Sequence, residues 1–164
     1  MSRDLNGSWF NAPSLLIPYK DADGNLLSVQ ARYLGGDNPS ADNERRIPRF
    51  QFPRGSRCTI FNLDILKQLK RHDVLFVAEG VSDCLALLSA GFPAVAIPSA
   101  TLLKPADAAL LKGFNIHIYP DQDRPGERLF VELQELCGTV TRHQLPEGFK
   151  DFGQYYAYIK NKDL

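Results

Sequence analysis

Val74-Leu75-Phe76-Val77-Ala78-Glu79-Gly80-Val81-Ser82-Asp83 is a short apolar run that breaks on an acid and a glycine and then passes into helical spacing. The apolar part is too short for a helix and has the character of a parallel strand buried on both faces. Ser82 can cap the helix that follows, in which Cys84, Leu85, Leu87 and Leu88 face a core until Gly91 stops it. The same rhythm then repeats: a strand over Ala94 to Ile97, a helix from Pro105 to Lys112 closed by Gly113, and a strand over Ile116 to Tyr119. After it come a helix from Gly126 to Cys137, with Leu129, Phe130, Leu133 and Leu136 on one side and Gly138 as its stop, and a last strand over Val140 to Leu145. Strand and helix in steady alternation predict an α/β fold: a mostly parallel sheet of about four strands covered on both faces.

Upstream the rhythm differs. Asn62 can cap a helix over Asp64 to Lys70, but before it the pattern is that of short antiparallel strands. Leu15 to Tyr19 leads into the turn Asp21-Ala22-Asp23-Gly24-Asn25, and Leu26 to Leu34 follows with Leu27, Val29, Ala31 and Tyr33 in alternation, a hairpin signal. Gly35 to Glu44 reads as a loop. The arginine-rich run holding Phe50 and Phe52 and the segment Thr59 to Phe61 read as further strands. The expected division is a small β-rich subdomain over residues 1–61 and an α/β domain over 62–164.

A chain of 164 residues that is 44% hydrophobic and 23% charged can bury an ordinary core, which excludes disordered and fibrous classes. Cys58, Cys84 and Cys137 are odd in number and unpaired in spacing, and His72, His117 and His143 lack ligand spacing, so neither a disulfide framework nor a zinc site is expected. Cys84 and Cys137 read as core thiols. Residues 1–10 lack the apolar centre of a signal peptide and no stretch is long enough to cross a bilayer, so the expectation is a cytoplasmic protein with no membrane partner. The net charge is zero but segregated: Arg45, Arg46, Arg49, Arg54 and Arg57 come without an intervening acid, whereas Asp121 to Glu135 is rich in carboxylates.

In open α/β sheets functional groups gather beyond the carboxyl ends of the strands. Glu79 follows one strand, and Asp121 and Asp123 follow another after Pro120; Asp83, one turn into the next helix, can support the first. Clustered carboxylates repel unless a cation compensates them, and a hard ion such as Mg²⁺ or Mn²⁺ suits an all-oxygen set and phosphate oxygens. The residues alone therefore point to metal-dependent making or breaking of phosphodiesters.

The pair Val77-Ala78-Glu79-Gly80-Val81-Ser82-Asp83 and Tyr119-Pro120-Asp121-Gln122-Asp123-Arg124-Pro125-Gly126 resembles the two signature motifs of the Toprim domain. That domain is shared by bacterial primases, topoisomerases and some nucleases. The resemblance implies a Rossmann-like parallel sheet, Glu79, Asp121 and Asp123 as metal ligands, and Asp83 as the further acid of the first motif. Pro98-Ser99-Ala100-Thr101-Leu102 resembles the small-residue turn between them. The usual Asp-x-Asp-x-Ala-Gly has Pro125 for its alanine, which a helix start tolerates.

Lys150-Asp151-Phe152 resembles the Lys-Asp-x-x-Glu element of DnaG-type and phage primases, with Gln154 where the later acid would stand. Ile17-Pro18-Tyr19-Lys20-Asp21-Ala22-Asp23-Gly24 and Gln30-Ala31-Arg32 resemble the β-rich segment that precedes Toprim in primases and primase-helicases. These similarities imply a primase fragment that joins nucleoside triphosphates on single-stranded DNA, with Lys150 near the site and a replicative helicase as a possible partner. A Toprim nuclease and a non-catalytic docking module are the alternatives. Arg32, Arg45, Arg46, Arg49, Arg54 and Arg57 are the candidate contacts to template phosphates, Arg49 first among them, while Phe50 and Phe52 share strand parity and read as core.

Overall fold

The computed structural model describes residues 2–3, 9–10, 13–35, 48–56, 59–98 and 103–162. Contacts divide the chain into two compact units, Met1–Tyr19 with Leu26–Cys58, and Lys20–Asn25 with Thr59–Leu164. Arg45, Arg46, Arg57, Cys58 and the turn at Ser99 to Leu102 lie outside the described residues. Among the described residues no helix is long and apolar enough to cross a membrane.

The first unit holds a two-residue pair, β1 (Ser2–Arg3) and β2 (Trp9–Phe10), and a three-stranded sheet of β3 (Ser14–Lys20), β4 (Leu26–Tyr33) and β5 (Phe50–Gln51) in that order. The hairpin turn forms as read: Asp21 Oδ1 accepts from the backbone N–H of Asp23 and Asn25 at 2.8 and 2.9 Å, and Gly24 takes a left-handed φ of 88°. Such an Asx-type turn fixes the hairpin with one side chain. The alternation on β4 has the opposite inward face, however. Ser28 and Gln30 are buried and Gln30 Oε1 accepts from the Tyr19 hydroxyl at 3.1 Å, while Leu27 and Val29 are half-buried. The strand expected through the arginine run shrinks to β5, because Pro48 and Pro53 bracket it and cannot donate to a ladder. Parity therefore fails at Phe52: its ring packs edge-on against Tyr19 at 5.0 Å, whereas Phe50 lies between the Arg32 and Arg49 guanidiniums at 5.7 and 5.9 Å.

The second unit is the α/β domain. In chain order it runs β6 (Val74–Ala78), α1 (Val81–Ser89), β7 (Ala94–Ala96), α2 (Pro105–Leu111), β8 (Asn115–Ile118), α3 (Arg124–Cys137), β9 (Val140–Arg142) and α4 (Phe152–Lys162). The sheet order is β7-β6-β8-β9 with every pair parallel. Strand alternation sorts the core into two layers. Leu75, Val77, Ile116 and Ile118 join Leu111, Leu129 and Leu133 on the α2/α3 side; Phe76 and Ala78 join Cys84, Leu87 and Phe152 on the α1/α4 side.

Several local expectations are corrected. Thr59 to Phe61 is not a strand of the first part; Phe61 exchanges hydrogen bonds with Ala96 (2.7 and 3.2 Å) and covers the free edge of β7. Asn62 does not cap an α-helix: its φ is 65°, its Nδ2 donates to the Ala94 carbonyl at 2.8 Å, and a 3₁₀ helix, Leu63–Gln68, follows. Ser82 is not the cap of α1, which starts from Gly80 in an extended conformation. The last strand stops at Arg142 rather than Leu145. Helix α4 was not expected. Its sequence carries a glycine and three tyrosines with weak periodicity, and it is nucleated by Asp151, whose Oδ1 accepts from Gln154 N at 2.8 Å.

The layer assignment has a direct test. Leu129→Ala, on a side chain with no exposure, is expected to cost about 2–5 kcal/mol of unfolding free energy by chemical denaturation, and Leu85→Ala, 43% exposed, under about 1 kcal/mol.

Candidate metal centre

Pairing of Val77 with Ile118 brings the carboxyl ends of β6 and β8 to one edge. Glu79 leaves that edge directly after β6, and Asp121 and Asp123 leave it just beyond β8. One carboxylate oxygen from each of the three lies within 4.8 Å of the others, and all three side chains are half-buried.

The Asp121 loop is held tightly. Asp123 N donates to the Asp121 carbonyl at 2.8 Å, and Asp123 Oδ1 accepts from Gly126 N at 3.1 Å, so Asp123 is also the N-cap of α3. Gly126 is required on steric grounds, since a Cβ there would overlap the Asp121 carbonyl oxygen and stand 2.7 Å from its nitrogen. Pro125 falls in the first turn of α3, where its missing N–H costs nothing.

Lys150 reaches the same place from the β9–α4 connection. Its Nζ lies 3.2 Å from Asp123 Oδ2 and 3.6 Å from Asp121 Oδ2, and its carbonyl accepts from Gln122 N at 3.0 Å. Gln154 anchors the Lys150 backbone, its Oε1 accepting from Lys150 N at 3.2 Å. Asp83 borders the cluster without being one of the three converging carboxylates. Its Oδ1 accepts from Gly153 N at 2.8 Å, tying the start of α1 to the start of α4, and a Cβ on Gly153 would sit 2.9 Å from that oxygen. Asp83 thus positions the start of α4, the helix that Lys150 immediately precedes. The sequence names Asp151 and Gln154 only through the Lys-Asp-x-x-Glu resemblance; the cap that Asp151 makes on Gln154 N and the role of Gly153 are not read there, and the spacing Asp151-x-x-Gln154 is the signal for the first.

Electrostatics mark the cluster as incomplete by itself. Burial, then the charges of Asp121 and Asp123, push the Glu79 carboxyl up to about 7. Burial and the neighbouring Asp83 push Asp121 up to about 6. Asp123 is held below its ordinary value, first by the Gly126 N–H and then by Lys150, whose ammonium is stabilised in turn. Glu79 Oε2 is buried without a hydrogen-bond partner. A carboxylate with an unpartnered buried oxygen, grouped with two others, fits a hard divalent cation, which takes oxygen donors and cancels their repulsion.

Of the candidate phosphate contacts, Arg32 and Arg49 flank Phe50 and Arg54 sits in an exposed turn, all in the first unit; among the described residues no carboxylate pairs with them.

Comparison with known proteins bears on the family and the fold. Residues 76–156 match the Toprim-like family model, and this stretch of the chain is a Toprim-like domain. It is of the DnaG type in fold. The chain resembles the DnaG primase catalytic domain solved bound to single-stranded DNA (TM-score 0.68, 19% identity, covering 92% of this chain and 49% of that one). It also resembles the primase fragment of the bacteriophage T7 primase-helicase (TM-score 0.65, 15% identity, covering 96% and 63%). Gene 57 protein of Mycobacterium phage D29 is 26% identical over 102 residues, which is 62% of this chain and 66% of that protein. The chain therefore spans about half to two-thirds of the length of these relatives.

The raised carboxyls give a sign to the pH dependence. A carboxyl whose folded pKa is raised contributes stability that is full below its unfolded value and lost as pH rises through the folded one. For Glu79 that window runs from its ordinary 4.5 to about 7. The metal-free site is expected to destabilise the fold progressively across it, and Mn²⁺ is expected to raise the melting temperature at about pH 8 but barely at about pH 4.5. Glu79→Gln should flatten both effects in thermal melts.

Proposed function

We propose that this chain forms the catalytic centre of a DNA primase, joining ribonucleotides on a single-stranded DNA template with Mg²⁺ or Mn²⁺ held by Glu79, Asp121 and Asp123. The main support is the orphaned Glu79 Oε2 within a cluster of three carboxylates that Lys150 flanks. A bound ion would supply Lewis acidity to phosphate oxygens and sharpen the attacking hydroxyl.

The chain's own residues would do the rest. With the carboxylates engaged, the Lys150 ammonium is free to face the triphosphate and stabilise negative charge as pyrophosphate leaves. Asp83 acts through Gly153, keeping α4 and hence Lys150 in register with the Asp121 loop. A cleft of about 670 Å³ opens beside Asp121 and Asp123 and is lined also by Arg124, Glu127, Arg142 and Gln144, a size that suits one nucleotide. Arg142 is held there by Glu127 through contacts of 2.9 and 2.8 Å, poised for exchange with a phosphate.

Template binding falls to the arginines of the first unit, Arg32, Arg49 and Arg54, together with Arg45, Arg46 and Arg57, because phosphate neutralisation dominates such affinity. The likeness to a primase-helicase fragment supports a helicase as partner, in the same parent chain or separate.

Incubation with Mn²⁺, single-stranded template and labelled nucleotides is expected to give template-dependent extension. Asp121→Asn and Glu79→Gln should each lower it on the order of 100-fold or more with the circular dichroism of the folded chain preserved. Degradation of the strand in place of extension would establish the nuclease alternative, and extension unaffected by both substitutions would refute the metal centre. Arg49→Ala is expected to weaken template binding and reduce the slope of affinity against salt by about one; an unaltered slope would make the arginines a solvated face.

A further inference from the structure

Next to the metal centre, α4 presents a surface that the proposed chemistry does not use. Phe149 immediately precedes Lys150, and its ring packs on α4 against Tyr155 at 5.3 Å and Tyr158 at 5.1 Å. Tyr158 is 45% exposed. The Lys162 ammonium rests over the Tyr158 ring at 4.5 Å, and Lys160 lies 5.8 Å from the Tyr156 ring centre. From Phe152 to Lys162 the helix carries no carboxylate, and Asp151 at its start is occupied as the cap. Phe152 and the Tyr156 hydroxyl, which donates to the Ser89 carbonyl at 2.9 Å, dock the helix on α1, so the Tyr158 side is not needed for that packing.

We propose that the Phe149–Tyr158–Lys162 face of α4 is a second binding surface for single-stranded DNA, on which a base stacks at Tyr158 while Lys162 swings from the ring to a phosphate. Rings interleaved with cations that, among the described residues, pair with no carboxylate are the combination that holds unstacked strands without reading sequence. Its place fits the purpose: Phe149 and Lys150 are consecutive, so the aromatic face and the acidic cluster are reached from one backbone step. A strand held here would be steadied as it passes the centre. The choice of DNA as occupant rests on the primase reading above, but the surface is testable without any reaction.

Binding of a short fluorescent oligodeoxythymidine to the full chain is measured in the absence of divalent ions, alongside an abasic oligomer of equal length and an oligouridine. Tyr158→Ala is expected to weaken the thymidine oligomer roughly ten-fold and the abasic one little, with Tyr158→Trp restoring affinity. Lys162→Ala should weaken both and lower the salt slope by about one. Melting temperature and Mn²⁺ affinity should stay as in the unsubstituted chain, which separates loss of stacking from loss of fold. The same pattern is expected in an Asp121→Asn background, so the surface can stand even where extension is never seen. Undiminished binding by Tyr158→Ala, equal loss on the abasic oligomer, or stronger binding of oligouridine would overturn the proposal.

Discussion

The parallel pairing of β6 with β8 is the constraint on which the rest depends. Val74 to Val77 lie opposite Asn115 to Ile118, so both chains run out of hydrogen-bonding partners at the same edge and in the same direction. An antiparallel pairing of the same two segments would send Glu79 and Asp121 to opposite ends of the sheet. Because the register is fixed by apolar side chains on both faces, a slip by one residue would turn Leu75 and Val77 away from Leu129 and Leu133, and the core resists it. The energy that holds three carboxylates together is thus hydrophobic burial elsewhere in the sheet.

That stored repulsion is met by devices of graded strength. Asp123 is satisfied locally, by the Gly126 N–H and by Lys150. Asp121 is partly met by Lys150, while Glu79 keeps a bare buried oxygen and a carboxyl that holds its proton to about 7. The cluster is therefore balanced for a ligand that brings positive charge and takes oxygen donors. Helix α4 is part of the same balance: Asp83, Gly153, Asp151 and Gln154 fix its first turn, and Gln154 holds the backbone of Lys150 just ahead of it. The glycine at 153 reads as unremarkable in isolation and the glutamine at 154 as a departure from the Lys-Asp-x-x-Glu element; both acquire meaning as neighbours of Asp83 and Lys150.

How far the sequence could be read follows from the range of the forces. The apolar run Val74 to Ala78 and the glycine-closed helices identify the α/β sheet because burial on both faces leaves an unambiguous local pattern. Glu79, Asp121 and Asp123 could be named because strand ends are legible. Caps are less legible: Asn62 and Ser82 have capping side chains, but Asn62 gives its amide to the Ala94 carbonyl across the fold, and α1 begins one residue ahead of Ser82, from an extended Gly80. Phe50 and Phe52 were separated by a strand end that parity cannot see. On β4 the buried side carries Ser28 and Gln30, an inversion that hydropathy cannot reveal because a polar pair with Tyr19 replaces the expected apolar contact.

The central claim is that Glu79, Asp121 and Asp123 form a divalent-cation site whose occupancy discharges a raised carboxyl. Calorimetric titration of Mn²⁺ near neutral pH, in two buffers of different ionisation enthalpy, measures it most directly. Binding at one site with proton release on association is expected, with loss of that proton release in Glu79→Gln. Binding that releases no proton, or that Glu79→Gln and Asp121→Asn leave unchanged in affinity and proton count, would contradict it.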